Sequence, residues 1–534
     1  MERKFKIVLF VFLFALLWLP LIQEQTKWFT EPQLRGAFVK PAKPEFSLDS
    51  LSELKFQKKY EEYINADFGF RGLLVKSKNS LNHILFNELS VVDDIEGKDG
   101  LIFKISSIEQ ALGILYGPEE KYQQTLERIK FLKEGVENHG GHFLAIITPT
   151  KEKILPDFMP EHYRDKYRLP NEYNTFIEGF KREKIPFIDF TPYLKTMRDT
   201  SKYPVFNKTG VHWSMYAASF AQDSLLSYIS KSLSKELPEY KRTGIEVSDT
   251  ARESDNDFEP PLNLFYNIGQ LKYFYPKLEM IASTTKNYRP KVIVIGDSFF
   301  WQLKAQRMLK NIFSEDSKFW FYFSNTSYPI GDVGGEPMSS IDRKKELETA
   351  DYVIIMGNIS TLDYFPYGVE NYYYDSIAKP WLAESVKEYL KNSANSDYEA
   401  KRICRDKKTI TITAANGKYV CAGGLEEKIL VANRDKAADW EKFTLLQFGG
   451  DKVAIYSYKN LFLSVVPNNK AEIISAETRI GSSEIFTMVK PDNDFVVFKA
   501  ANGKYLSLEV KSKQLFARGN SIGENEKFKL TVLK

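Results

Sequence analysis

Near the C-terminus, Ala415-Asn-Gly-Lys-Tyr419 returns as Ala501-Asn-Gly-Lys-Tyr505, and Tyr458-Lys-Asn-Leu-Phe462 stands between them. Tyr419, Phe462 and Tyr505 are each 43 residues apart. A second marker keeps step with the first: Glu441-Lys-Phe443, Glu484-Ile-Phe486 and Glu526-Lys-Phe528 follow at separations of 43 and 42. Two markers holding one period across three copies constrain the fold more than any other feature of the chain. A repeat of this size is a structural unit that cannot bury its apolar face alone, so the three must share one core. Short β-like stretches with Asn-Gly and Gly-Gly turns fill each copy, and such stretches read as strands and hairpins. Each repeat is therefore expected to supply four strands, with the repeated aromatics in the common core.

Upstream the texture differs. From about residue 51 to 390, short apolar runs alternate with helical periodicity. Residues 121–138 place Leu126, Ile129, Leu132 and Val136 on one side, the helical spacing. The apolar run Phe143-Leu-Ala-Ile-Ile147 follows. Further runs are Pro186-Phe-Ile-Asp189, Lys291-Val-Ile-Val-Ile295, Phe319-Trp-Phe-Tyr-Phe323 and Tyr352-Val-Ile-Ile-Met356, with a helical stretch over 217–233. Continuous apolar strands alternating with helices predict an α/β fold, a parallel sheet covered on both faces. Ligands of such sheets sit beyond the carboxyl ends of the strands, where Thr148, Asp189, Asp297-Ser298 and Asn358 fall. Composition turns polar over residues 391–408, which marks a domain boundary with a linker at 393–408.

The N-terminus carries Arg3, Lys4 and Lys6 ahead of an apolar run from Ile7 to Ile22. A basic flank before an apolar core is the pattern of a signal peptide or signal anchor. No small-x-small site follows it, so residues 1–27 are read as an uncleaved membrane anchor. The basic flank would leave the N-terminus cytoplasmic and the rest extracytoplasmic, in the periplasm or at the cell surface. Residues 28–50, rich in Pro, Lys and Phe, read as a stalk. The expected layout is therefore 1–27 anchor, 28–50 stalk, 51–392 α/β domain, 393–408 linker and 409–534 β domain. A net charge of +4 from 74 basic and 70 acidic residues gives no concentrated basic stripe, which excludes an electrostatic case for nucleic acid. No His/Cys cluster has metal-ligand spacing, and no metal or cofactor is expected. Cys404 and Cys421 are the only cysteines, and spacing alone does not decide whether they pair.

The strongest chemical signal is Val294-Ile-Gly-Asp-Ser-Phe299. A buried strand ending in Gly-Asp-Ser places the Ser298 hydroxyl at the mouth of the sheet, with its own N–H aimed at an oxyanion. A serine nucleophile needs a base. Of five histidines, His212 alone sits in a polar loop before a helix, Lys208-Thr-Gly-Val-His-Trp-Ser214. His83, His139, His142 and His162 have no comparable setting and read as surface or core histidines.

Gly-Asp-Ser with an upstream His-Trp resembles the alginate O-acetyltransferase family, AlgJ/AlgX-like members of the SGNH hydrolase-like fold. Phe68-Gly-Phe-Arg71, Gly97-Lys-Asp-Gly-Leu-Ile-Phe103 and Pro149-Thr-Lys151 with Leu155-Pro156 are similar to further blocks of that family. The resemblance spans roughly residues 55–390. It implies a three-layer domain that forms an acetyl-serine on Ser298 with His212 as base and passes the acetyl group to a polysaccharide. It also implies a partner of the membrane-bound O-acyltransferase type as acetyl donor. SGNH enzymes use an Asn as a second oxyanion donor, which points to Asn358 beside the Ser298 N–H. Trp213 and Trp301 flank the pair and are candidates for stacking on a sugar.

The family carries its triad Asp two residues before the His, where this chain has Gly210. Either another carboxylate serves, Asp189 and Asp257 being the candidates, or a dyad operates with a backbone carbonyl as orienter, or activity is reduced. The C-terminal repeats resemble a β-trefoil of the fascin-like branch, which implies a carbohydrate-holding module. An O-acetylesterase and a non-catalytic binding scaffold are the competing readings.

Overall fold

The chain is described by a computed structural model covering residues 2–36, 41–66, 68–164, 170–282, 288–331, 334–391, 396–422, 429–437, 439–458, 461–491 and 494–533. Residues 393–395 of the expected linker lie outside the described residues. Two compact units emerge, Met1–Glu370 and Asn371–Lys534.

The first unit begins with helix α1 (Glu2–Thr26), which is long and apolar enough to cross a membrane, with mean hydropathy 2.6. Within the stretch expected as a stalk, Phe29, Glu31 and Arg35 each make hydrogen bonds to the rest of the unit. Glu31 Oε1 accepts the N–H of Phe70 at 2.7 Å and its Oε2 that of Gly72 at 3.2 Å, at the start of helix α2 (Arg71–Phe86). A carboxylate is favoured there because the first N–H groups of a helix have no partner within it. Arg35 is tied to the Asn263 amide through both its N–H and its carbonyl.

Seven strands form the sheet: β1 (His142–Thr148), β2 (Phe187–Asp189), β3 (Val292–Gly296), β4 (Lys318–Phe321), β5 (Thr326–Pro329), β6 (Glu336–Pro337) and β7 (Tyr352–Asn358), in spatial order β6-β5-β4-β3-β7-β1-β2. From β4 to β2 every pairing is parallel; β5 and β6 add on antiparallel. Every residue of β3 and β7 is buried, as strands covered on both faces must be. The register sets Asn358 opposite Thr148, Ile147 opposite Asp189 and Met356 opposite Gly296, so the polar strand ends lie along one edge. Helices α3 (Glu119–Asn138) and α4 (Met215–Leu233) flank the sheet strands in sequence.

The aromatic run 319–323 is a shorter strand than its composition suggests. It stops at Phe321 because Tyr322 and Phe323 are left-handed, at φ 51° and 48°. Tyr322 instead donates its N–H to Gly296 O at 2.8 Å, at the turn bearing Ser298.

The second unit holds most of helix α5 (Val369–Tyr389), helix α6 (Ser396–Arg405) and twelve strands. Where polar composition suggests open linker, α6 is a helix. Its few apolar residues Ala400 and Ile403 share one face and pack with Leu382, Val386, Leu446 and Phe462. Strands Lys408–Thr413, Lys442–Gly449, Lys452–Ser457, Ile485–Val489, Val497–Lys499 and Lys529–Val532 pair in succession. Val496 and Phe528 close the ring by exchanging N–H···O bonds of 2.8 and 2.9 Å. Three hairpins stand on this ring: Tyr419–Cys421 with Val431–Arg434, Phe462–Val465 with Ile473–Glu477, and Tyr505–Glu509 with Gln514–Gly519. They meet one another through Leu430 N–H to Ile473 O, Leu515 N–H to Leu430 O and Ala517 N–H to Ala471 O.

The repeat is physical as well as textual. Asn416 accepts the Lys418 N–H at 3.1 Å and donates to Ala432 O at 2.8 Å. Asn502 does the same with Lys504 at 3.0 Å and Ala517 at 3.0 Å. Gly417 and Gly503 sit at φ 74° and 77°, which only glycine adopts cheaply. Phe443, Phe486 and Phe528 are buried in the shared core.

Candidate active site

At the end of β3 the chain turns through Asp297 and Ser298 into helix Phe300–Ala305. Asp297 is wholly buried and organises that turn. Its Oδ1 accepts the Phe299 N–H at 3.0 Å, and its Oδ2 accepts the Asn358 N–H at 2.5 Å, the Thr361 hydroxyl at 3.0 Å and the Tyr367 hydroxyl at 3.2 Å. Burial pushes this carboxyl up, while the donors from Asn358, Phe299 and Thr361 pull it back down. Its work is to lock the end of β3 to the end of β7, which leaves Ser298 half-buried at the rim.

His212 reaches Ser298 from the loop before α4. Its Nε2 lies 2.8 Å from Ser298 Oγ, and its Nδ1 lies 2.8 Å from Asp257 Oδ2. The other Asp257 oxygen accepts the Val211 N–H at 2.7 Å, so one carboxylate holds both the ring and the backbone beside it. The ring packs on Phe299 at a centroid distance of 4.8 Å.

Gly210 and Asp257 belong to one arrangement. A Cβ on Gly210 would lie 2.9 Å from Asp255 O and 3.3 Å from its carbonyl carbon. The segment carrying Asp257 thus occupies the space a side chain at 210 would fill, and Phe258 N–H bonds Thr209 O at 3.0 Å across the same contact.

The two loops are also bolted from behind. Trp213 Nε1 donates to Phe299 O at 3.1 Å, and Gln302 Nε2 donates to Asp255 Oδ1 at 3.0 Å. Asp255 is pushed up to about 7, chiefly by burial, with the Asp257 charge adding and donors from Tyr275, Met215 and Gln302 opposing. Buried Lys151 donates to Ile102 O at 2.9 Å and Lys208 O at 3.1 Å, tying the start of the His212 loop to the Gly97–Phe103 block. Burial lowers Lys151 to about 7, and the charges of Glu152, Asp257 and Asp94 oppose that shift.

Four sequence expectations need correction. Asp189 does not approach His212; it caps helix Phe190–Thr200 through the Thr191 N–H at 2.9 Å and accepts the Tyr173 hydroxyl at 2.7 Å. Asn358 has no amide N–H aimed at Ser298. Its Nδ2 serves Thr148 O, Thr148 Oγ1 and Pro149 O at 3.1, 3.2 and 3.1 Å, because the neighbouring parallel strand ends there with unpaired carbonyls. Trp213 is fully buried among Phe190 and Phe299, closed to any sugar. Trp301 meets the edges of Phe319, Phe321 and Tyr328 and is part of the packing.

A residue that sequence reasoning passed over stands beside Ser298. The Tyr322 phenol lies close enough to Ser298 for the two to interact electrostatically. Burial holds this phenol above its ordinary value, the Asp297 charge adds to that, and the nearness of Ser298 opposes it. Beside it are Tyr367, at 5.2 Å between rings, and Tyr364, which is 50% exposed. In the sequence Tyr322 is hidden inside an aromatic run that reads as strand.

Comparison with known proteins falls on the same segments. Residues 95–299 match the family described as the SGNH hydrolase-like domain of acetyltransferase AlgX, and residues 400–531 match a domain of unknown function, DUF7910. The matched SGNH hydrolase-like segment contains His212, Asp257 and Ser298. No curated protein matches the chain. Among solved structures, the O-acetyltransferase domain of Pseudomonas putida AlgJ is 17% identical, with 50% of this chain and 92% of that one covered and a TM-score of 0.34. The designed three-fold symmetric protein ThreeFoil is 17% identical over 23% of this chain and 99% of its own, with a TM-score of 0.22. Cry35Ab1 is 19% identical over 24% of this chain and 36% of its own, at a TM-score of 0.21.

Proposed function

We propose that the SGNH hydrolase-like segment belongs to a membrane-anchored O-acetyltransferase that moves an acetyl group through Ser298 onto hydroxyls of an extracytoplasmic polysaccharide. The observation that carries this reading is the unbroken line Ser298 Oγ, His212 Nε2, His212 Nδ1 and Asp257 Oδ2, with 2.8 Å at each hydrogen bond. A serine, a base in contact with it and a carboxylate behind the base is the arrangement that acyl transfer requires. It also weighs against the scaffold reading, since the acid that Gly210 lacks has a replacement.

In the first step His212 Nε2 takes the Ser298 proton while Oγ attacks the acetyl carbonyl of an ester or thioester donor. Asp257 keeps the Nδ1 proton in place and stabilises the imidazolium that forms. Negative charge on the carbonyl oxygen is met by the Ser298 N–H and the Tyr322 hydroxyl, the phenol turning its proton toward the incoming oxygen. Collapse expels the donor's leaving group, protonated by His212, and leaves acetyl-Ser298. In the second step His212 takes the proton of a sugar hydroxyl as that oxygen attacks the acetyl-serine; collapse breaks the bond from Ser298 Oγ to the acyl carbon, and His212 returns the proton to Oγ, giving the acetylated sugar and free Ser298. Exposed Tyr364 is the proposed sugar-facing ring in place of the two tryptophans. A membrane-bound O-acyltransferase-type partner would supply the acetyl group, and tethering raises the effective concentration of the two near each other.

The domain layout proposed with this function is 1–27 anchor, 28–50 connecting segment, 51–392 catalytic domain and 409–534 β-trefoil. The ring of six strands with three hairpins, and the paired Asn416 and Asn502 turns, support the trefoil reading. Its proposed work is to hold the polymer. The test is product analysis with an activated acetyl ester and an oligosaccharide acceptor. Acetylated sugar from wild type and none from Ser298→Ala supports transfer; acetate alone, at the same rate with and without acceptor, replaces it with an esterase.

A further inference from the structure

Helix α2 has the reverse polarity of an ordinary surface helix, which buries an apolar stripe. Its polar side chains face the protein: Asn79 donates to Leu262 O at 2.9 Å, Ser80 Oγ accepts the Phe265 N–H at 3.0 Å, and His83 bonds the Tyr266 hydroxyl at 2.6 Å and Glu96 at 2.9 Å. Its apolar side chains Leu74, Leu81, Ile84, Leu85 and Phe86 face out, between 51% and 66% exposed.

The start of α2 shows what adjoins that outer face. A Cβ on Gly69 would collide with the Pro20 carbonyl oxygen and lie 2.8 Å from Gln23 Cβ and 2.9 Å from Glu24 N, in the last turns of α1. The buried Gln23 amide holds Phe29 through its N–H at 3.1 Å and its carbonyl at 2.6 Å, and Glu31 beyond it caps α2. Trp28 and Phe29 sit on Phe70 at 6.1 and 5.9 Å, and such rings collect where hydrocarbon meets water. The helix has no acidic residue and carries exposed Lys78 among its outward side chains, while Arg71 and Lys76 bond Asn65 O and Leu264 O; the absence of negative charge suits a surface of anionic headgroups.

We infer that α2 is an interfacial helix, its outer face resting on the lipid leaflet from which α1 emerges. This rests on the reading of α1 as a membrane anchor. The Phe68-Gly-Phe-Arg71 block is then the joint between the spanning helix and the surface helix, Gly69 allowing the close approach of α1 and the following Gly72 that of Pro32. The first unit would lie against the membrane rather than swing from a flexible stalk, which suits an enzyme supplied from within the bilayer.

The test uses the full chain reconstituted in phosphatidylcholine–phosphatidylglycerol vesicles, with a polarity-sensitive fluorophore on Leu85→Cys in a Cys404→Ala background, Cys421 being buried. Lipid carrying a quencher high on its acyl chain is expected to cut the emission roughly twofold or more, with aqueous iodide having little effect. Carbonate extraction of the chain would overturn the anchor and the interfacial helix together. A carbonate-resistant chain whose probe is quenched by iodide as fully as an exposed site would overturn the helix placement alone. Protection from both quenchers would instead put a protein against this face and likewise overturn the inference.

Discussion

In the first unit Ser298, His212 and Asp257 come from three separate stretches of chain, and the contacts that join them are made once. In the second unit the same small device recurs: Asn416 and Asn502 make matching pairs of hydrogen bonds, and Phe443, Phe486 and Phe528 fill one core. A scattered site depends on single contacts, so losing one is disproportionate. A repeated scaffold spreads its stability over equivalent positions, so losses there are moderate and alike. Substitutions that break this contrast would break the account.

The largest effect is expected at Asp257, the proposed triad acid. Asp257→Asn should lower acyl-transfer turnover by roughly 10³–10⁴-fold with little change in folding, because an amide fixes the wrong imidazole tautomer. Adding Gly210→Asp to that variant should not restore the rate, since a side chain at 210 runs into Asp255. Turnover and circular dichroism on the single and double variants check both points. In the second unit, Phe443→Ala, Phe486→Ala and Phe528→Ala should each cost about 3–5 kcal/mol of stability, read by urea denaturation. Acetylation at Ser298 should persist in all three.

A smaller effect concerns pH. Asp255, raised from 3.8 to about 7 in the folded chain, keeps a proton there that the unfolded chain releases above 3.8. Folding stability from this group is therefore fully present below that value and is lost as pH rises toward 7. Asp255→Asn should flatten the fall in urea midpoint between pH 4 and 8, worth on the order of 2–4 kcal/mol. The smallest effect tests the repeat itself. Asn416→Ala and Asn502→Ala should each cost about 1 kcal/mol and agree within a few tenths. Unequal losses would mean that the two turns are alike only in sequence.

Legibility in the sequence follows the same divide. The repeat could be read because its spacing is periodic, and Gly-Asp-Ser with His212 because each sits at an element boundary that local pattern reveals. Asp257 was one of two candidates, since its pairing with His212 depends on a loop 45 residues downstream folding back. Asn358 was misassigned because sequence cannot show that three acceptors on β1 and its end already claim its amide. Tyr322 does not stand out in the sequence, because two left-handed residues end a run that composition extends. The helix at 396–405 was missed because only Ala400 and Ile403 mark its buried face.

Intact-mass measurement with peptide mapping after exposure to an activated acetyl ester, for wild type, Ser298→Ala and Asp257→Asn, tests the central claim most directly. The account predicts one acetyl group on Ser298 in wild type, none in Ser298→Ala and greatly slowed labelling in Asp257→Asn. An unlabelled wild type, or labelling unchanged in either variant, would contradict it.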